Sequence, residues 1–350
     1  MADKSATPRP PALEGQEAAA ATQDPGTGSG DFQRRVRTPR AIRLQHVQDY
    51  GIVALGVALF AYFSLTTEHF FTGTNLLNII YQNSVVGIVA CLLTLTIISG
   101  NFDLSVGALF ALSGVIAAWV AVNWSAWLSL PIALIAATAL GVGNGLVVAR
   151  LRVDPFLATL SSALIFGGIA LGITNGFLIT VKEGKEVFTF LGQSSVVGVS
   201  YSTLIFVLVA VASQFALSFT RFGRRIYALG GNPVAARLAG IKNQRMVVTT
   251  FALTGLACGL AGFLDASFTG TGSASVGPDL ALTAISAVAL GGTSIFGGSG
   301  AVWRTVVGVL ILGMLSNGFD LAGLPNYWQQ VVKGALIVGV IAVQAAAKGR

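Results

Sequence analysis

From about residue 51 onward, long apolar runs alternate with short polar breaks. A hydrocarbon core about 30 Å thick is crossed by roughly 20 helical residues, with about 17 to 25 tolerated. Ten runs fit that size, at approximately 51–67, 76–99, 104–122, 128–149, 157–178, 198–219, 246–268, 280–295, 301–319 and 328–346. The pattern predicts an all-α integral membrane protein with about ten transmembrane helices. Two places read differently. Only GNFD separates the second run from the third, and the eighth is short and interrupted by glycine. Broken or re-entrant segments are therefore expected near 100–105 and 290–300, because backbone that leaves a helix at membrane depth must be buried in protein or line a cavity.

Composition sharpens this picture. Of 350 residues 54% are hydrophobic and 10% charged, whereas a soluble domain carries about 25% charged residues. The first 45 residues, rich in Ala, Pro, Gly and polar groups, bury too little apolar surface to fold and predict a disordered tail ahead of a transmembrane domain at 46–350. No apolar run follows the start, so no secretory signal peptide is expected. The net charge of +7 reads as topology and not as nucleic-acid binding. With a cytosolic N-terminus, Arg34, Arg35, Arg37, Arg40, Arg43, Arg150, Arg152, a cluster at 221–245, Arg304, Lys348 and Arg350 fall inside. Only Lys182 and Lys185 fall outside, which predicts that both termini are cytosolic. Cys91 and Cys258 lie within apolar runs, and His46 and His69 are the only histidines. No disulfide, metal or cofactor is expected.

Between the sixth and seventh runs stands TRFGRRIYALGGNPVAARLAGIKN, residues 220–243, with Arg221, Arg224, Arg225, Arg237 and Lys242, followed by Arg245. Glycines at Gly223, Gly230 and Gly231 punctuate it. Asn232 suits an N-cap ahead of Pro233 at the first helical position, and Gly240 suits a C-terminal stop. The result is a short helix with small Ala235 and Ala236 open to close approach and Arg237 at its polar rim. Either these cations only orient the chain, or the segment is a docking knob.

Asp103 near hydrocarbon needs a reason. It suits capping of a helix that starts near Leu104, accepting the amides of Ser105 and Val106, or contact with a polar solute beside Asn101 and Ser105. GGTSIFGGSG, which holds Gly291, Gly292, Thr293 and Ser294, suits either close helix packing or an unwound stretch lining a passage. Gly141, Gly143 and Gly145 read as a packing seam, Asp265 and Asp320 as interfacial, and Trp124, Trp127, Tyr327 and Trp328 as an interfacial belt.

FGRRIYALGGNPVAARLAGI resembles the cytoplasmic coupling segment of ABC transporter permeases of the ribose/xylose/galactose type, whose pattern runs T-x-F-G-R-x-I-Y-A-x-G-G-N-x-x-A-A-R-L-S-G-I. GNFDLSVGALFAL at 100–112 resembles that family's G-G-I-D-L-S-V-G signature, and AISAVALGGTSIFGGSGAVWRTVVGVLILGMLSNG at 284–318 its A-I-A-A-V-V-L-G-G-T-S-x-x-G-G-x-G run. Asn101, Phe102 and Val234 depart from the pattern. The resemblance spans residue 50 to the end and implies a permease subunit of a bacterial inner-membrane importer for a sugar or polyol. It implies as partners a cytosolic ATPase, an extracytoplasmic binding protein, a second permease copy and membrane lipid. It also implies ATPase coupling through Arg221, Gly223, Arg224, Gly231, Asn232, Ala235, Ala236, Arg237 and Gly240. A translocation pathway at Asn101, Asp103, Ser105 and 291–294 follows in the same way. No G-x-x-x-x-G-K-[ST] loop occurs, since the one GK, at Gly184 and Lys185, runs into Glu186. The chain is thus not expected to be an enzyme. The competing reading is an ion-coupled secondary transporter or channel, for which Asp103, Asp265 and Asp320 are the intramembrane candidates.

Overall fold

Each of the ten predicted apolar runs falls on a helix in the computed structural model, which describes residues 39–348, with side chains from Gly51 on except at several positions from Asn326 onward. The order is α1 (Pro39–Thr66), α2 (Gly73–Ile98), α3 (Val106–Asn123), α4 (Ala126–Arg150), α5 (Pro155–Thr174), β1 (Ile179–Thr180), α6 (Lys185–Gln193), β2 (Ser195–Val196) and β3 (Val199–Ser200). Then come α7 (Tyr201–Phe219), α8 (Arg221–Gly231), α9 (Pro233–Leu238), α10 (Asn243–Thr269), β4 (Thr271–Gly272), α11 (Gly277–Leu290), α12 (Val302–Leu321) and α13 (Asn326–Lys348). Helices α2, α3, α4, α5, α7, α10 and α12 are long and apolar enough to cross a membrane, while Gly51–Thr66 and α11 are shorter apolar helices. Of the predicted tail, residues 1–38 lie outside the described residues, and 39–45 belong to α1. Gln48–Arg350 form one compact unit.

Three of the long apolar helices, α2, α5 and α7, start at side-chain caps. Thr72 Oγ1 accepts the Asn75 amide, Asp154 Oδ1 accepts those of Phe156 and Leu157, and Ser200 Oγ accepts that of Thr203. The long α10 is the hub, packing against α4, α3 and α2, while α2 also packs against α12 and α7. Small residues make these crossings close. A Cβ on Gly141 would come within 2.5 Å of the Phe251 carbonyl, and one on Gly255 within 2.4 Å of the Ala137 carbonyl. Gly145 packs on Val248 in the same seam, whereas Gly143 has nothing within 4 Å, so the predicted seam uses two of its three glycines. Hydroxyl pairs add polar ties between helices. Thr94 meets Thr305 and Thr96 meets Thr254, both at 2.8 Å in fully buried settings, each worth about 0.6 kcal/mol in a bilayer.

The stretch between α5 and α7, which the sequence places between two apolar runs with Lys182 and Lys185 outside, is folded. β1 pairs antiparallel with β4, and β2 with β3. Helix α6 buries Phe188 edge-to-face against Phe263 with ring centroids 5.7 Å apart. Its Gly192 amide donates to Ser267 Oγ at 2.8 Å, and Ser267 donates onward to the Phe188 carbonyl at 2.7 Å. A side chain on Gly192 would strike the Phe268 backbone at 2.3 Å, so the glycine is what lets α6 lie flat on the end of α10.

Candidate functional site: a backbone clasp between α8 and two span breaks

The segment singled out for its charge forms two helices at one end of the bundle. α8 is amphipathic: Gly223, Ile226 and Leu229 are buried, while Arg221, Arg224 and Arg225 are exposed. Its start is a tight corner. Thr220 Oγ1 accepts the Gly223 amide at 3.3 Å, and a Cβ on Gly223 would overlap the Leu217 carbonyl oxygen at 1.9 Å. α9 begins as the sequence predicts, with Asn232 Oδ1 accepting the Val234 and Ala235 amides, each at 3.0 Å. It also ends as predicted, with Gly240 at φ +80° and the Ile241 amide donating to the Ala236 carbonyl at 3.0 Å. Asn243 Nδ2 donates to the Pro233 carbonyl at 2.8 Å and ties α9 to the start of α10.

Of the paired alanines only Ala235 faces outward, since Ala236 is 3% exposed. The apolar tip is instead Val234 and Leu238, 68% and 85% exposed. Sequence reading passed over this pair, although its i, i+4 spacing places both on one face of a helix. Arg237 and Gly240 lie on the exposed side and line a basic cleft with Arg152, Lys242 and Arg245.

The C-terminal end of α8 is clamped against both span breaks. The break between α2 and α3 turns at Gly100, φ +84°, and the break between α11 and α12 turns at Gly292, Gly297 and Gly298, φ +71°, +82° and +76°. The Gly298 amide donates to the Ile98 carbonyl at 2.9 Å, joining the two breaks. Gly230 sits over this bond. A Cβ there would fall 1.8 Å from the Ile98 oxygen and 2.6 Å from the Gly298 nitrogen. A Cβ on Gly297 would lie 2.7 Å from the Gly100 Cα, and one on Gly298 would lie 2.9 Å from the Gly231 Cα. Tyr227, one turn earlier on α8, donates from its hydroxyl to the Gly300 carbonyl at 2.7 Å. Burial pushes the Tyr227 phenol up, against a smaller opposite pull from Arg304. Main chain thus touches main chain at three points, which only glycine permits.

The residues assigned to a pathway surround this clasp and are buried. Asn101, Asp103, Ser105, Thr293 and Ser294 are 8%, 1%, 0%, 0% and 6% exposed. The predicted cap by Asp103 is not formed: Ser105 is the residue ahead of α3, which starts at Val106, and Asp103 instead closes a turn before it, Oδ1 accepting Ser105 N at 2.9 Å and Ser105 Oγ at 2.6 Å. The polar chain continues from Asn144 Nδ2 to Ser105 Oγ at 2.8 Å and from Ser162 Oγ to Asn144 Oδ1 at 2.6 Å, while the Leu104 amide donates to Thr159 Oγ1 at 3.1 Å. The first break is thereby laced to α4 and α5. Asp103 Oδ2 is buried and meets no donor among the described residues. Gly291 packs on the Arg304 backbone, where a Cβ would come within 2.8 Å.

Residues 75–341 match the family described as branched-chain amino acid transport system / permease component. The ribose import permease protein RbsC of Escherichia coli (strain K12) is 38% identical over 300 residues, covering 85% of this chain and 93% of the relative. RbsC of Bacillus subtilis (strain 168) is 37% identical over 276 residues, covering 79% and 86%. The xylose transport system permease protein XylH of Escherichia coli (strain K12) is 32% identical over 370 aligned positions, covering 87% and 93%. No solved structure matches the chain. With an all-α membrane architecture, and with these relatives aligned across most of their own lengths, the chain belongs to the transport-system permease-component family.

Proposed function

We propose that this chain is the membrane-spanning subunit of an ATP-driven importer, carrying a sugar or related polyol across the bacterial inner membrane. The relatives named for ribose and xylose support the cargo class. A cytosolic ATPase and an extracytoplasmic binding protein are the partners, a second copy of the chain completes the pore, and both termini face the cytosol. The single observation that carries the coupling mechanism is the clasp of α8 onto the breaks at 99–105 and 291–301. An ATPase seated on Val234, Ala235, Leu238 and the arginines around them moves α9 and α8 as one piece. Because Gly230 touches both breaks through backbone, that displacement passes directly to the ends of α2, α3, α11 and α12. Asn101, Asp103, Ser105 and residues 291–294 are then moving parts of the passage, closed over in this arrangement.

The test is uptake of radiolabelled ribose and xylose by cells expressing the chain with its ATPase and binding protein. Uptake that stops when ATP is depleted at a maintained proton gradient is expected. Uptake that collapses with a protonophore at constant ATP overturns the ATP-driven reading in favour of an ion-coupled carrier.

A further inference from the structure

At the opposite end of the bundle from the clasp, a half-open cavity of about 320 Å³ lies between α2, α3, α7, α10 and α11. That volume falls within the roughly 300–1,000 Å³ of small-molecule sites. Its wall carries Tyr81, Gln82, Asp265, Phe268, Asp279 and Thr283. Asp265 is partly buried, and its carboxylate meets no donor among the described residues. An acceptor group inside a span with no partner of its own is costly unless it serves a solute or a water-filled space.

The aromatic part of the wall is built and held. Tyr81 and Phe268 stack edge-to-face, 5.3 Å between centroids at 83°. Both are fixed from α6: the Tyr81 hydroxyl donates to the Gly192 carbonyl at 2.9 Å, and Gln193 Nε2 donates to the Phe268 carbonyl at 2.7 Å. The same pair faces a second cavity of about 260 Å³, whose polar wall includes Asn78, Gln193, Ser195 and Ser200. Two cavities thus share one rigid aromatic partition, and Asp265 lies on the inner side. A carboxylate offers two oxygens, with about four lone-pair sites, to adjacent hydroxyl donors. An aromatic face or edge packs against C–H groups. Together they match a ring or chain that has hydroxyls on one side and carbon on the other.

Resting on the reading of the chain as a sugar importer, we infer that the Asp265 cavity is an outer subsite where a polyhydroxylated solute pauses: Asp265 accepts its hydroxyls, and the Tyr81–Phe268 pair packs on its carbon face. A charged hydrogen bond of this kind sets a preference of roughly tenfold or more for the hydroxylated solute.

The experiment reads occupancy apart from transport. Thr283→Cys is placed in a chain lacking Cys91 and Cys258, in nanodiscs, and the rate of its reaction with a small thiol reagent is measured with and without saturating ribose. Valine at equal concentration is the apolar-chain comparison. Ribose is expected to slow the reaction at least about fivefold and valine not at all, with protection lost in Asp265→Asn and reduced in Phe268→Leu. Melting temperature of each variant confirms folding. Protection that survives Asp265→Asn, or protection by valine and not ribose, overturns the subsite. Ribose uptake by the complete importer is measured in parallel. Uptake without protection overturns the subsite alone, whereas uptake that persists when ATP is depleted overturns the importer reading beneath it.

Discussion

Adding one methyl group to Gly230 tests the clasp most directly. In Gly230→Ala the new carbon would stand 1.8 Å from the Ile98 carbonyl oxygen and 2.6 Å from the Gly298 nitrogen. A relaxed carbon-to-oxygen approach is about 3.3 Å, so α8 and the first break must part by about 1.5 Å. If α8 instead stays in place, the methyl wedges the two breaks apart and stretches or breaks the 2.9 Å bond from the Gly298 amide to the Ile98 carbonyl. Leaving that buried amide unpaired costs about 1–3 kcal/mol, and overpacking of a filled site costs about 1–3 kcal/mol. These costs overlap because relieving one incurs the other, so about 2–4 kcal/mol is expected in total. That is a shift of roughly thirtyfold or more against the closed clasp. Gly231, the next residue, is the internal control, because a Cβ there meets nothing within 4 Å and its φ is not in the left-handed region. Gly231→Ala should fall within about 0.5 kcal/mol of the parent. The assays are thermal melting of the purified chain and ATP-driven uptake by the assembled importer. Gly230→Ala should melt lower and import little, while Gly231→Ala should match the parent in both. Equal melting and equal uptake for the two variants would refute the clasp as both a structural and a mechanical contact.

Other perturbations separate the parts. Val234→Glu and Leu238→Glu, at side chains 68% and 85% exposed, should leave melting unchanged but abolish uptake and co-purification of the ATPase, whereas Ala236→Glu, at 3% exposure, should lower melting itself. Asp103→Asn keeps an oxygen to accept the Ser105 amide and should import normally, insensitive to protonophore; Asp103→Leu leaves that buried donor unpaired and should cost about 1–3 kcal/mol in melting experiments. For orientation, Val197→Cys, where the native side chain is 98% exposed, and Gln244→Cys, also at an exposed position, in a chain lacking Cys91 and Cys258, should react with a membrane-impermeant thiol reagent from opposite sides. Intact cells should label the first and inverted vesicles the second. Labelling of both from one side overturns the proposed placement of α9 in the cytosol.

The apolar runs were legible as helices because hydrocarbon imposes a length on a span, which seven helices among the described residues reach, while Gly51–Thr66 and α11 fall short of it. α9 was legible for a local reason: Asn232, Pro233 and Gly240 each satisfy a cap within a few residues of themselves. The clasp was not. Glycines at 100, 230, 297 and 298 announce that something comes close, but pairing them takes contacts between residues from about seventy to nearly two hundred positions apart, which no local pattern encodes. The inward turn of Ala236 was missed because a helix of six residues shows too few turns to reveal a face; the Val234 and Leu238 pair was the available signal. α6 also had a signal that passed unused, with Phe188 and Leu191 three apart ahead of Gly192. The two-residue strands beside it had none, since they exist only through their partners.

Helix α11 carries a consequence of its own. Its fourteen residues, Gly277–Leu290, rise about 21 Å at about 1.5 Å each, against about 30 Å of hydrocarbon. A helix this short cannot tie up within itself all the backbone that a full-length span would, so the loop at 291–301 depends on bonds from outside any helix, such as the Ser294 amide to the Ser299 carbonyl and the Gly298 amide to the Ile98 carbonyl, both at 2.9 Å. The second of these is the bond that Gly230 covers, so whatever lifts α8 also uncovers backbone that lipid could not satisfy.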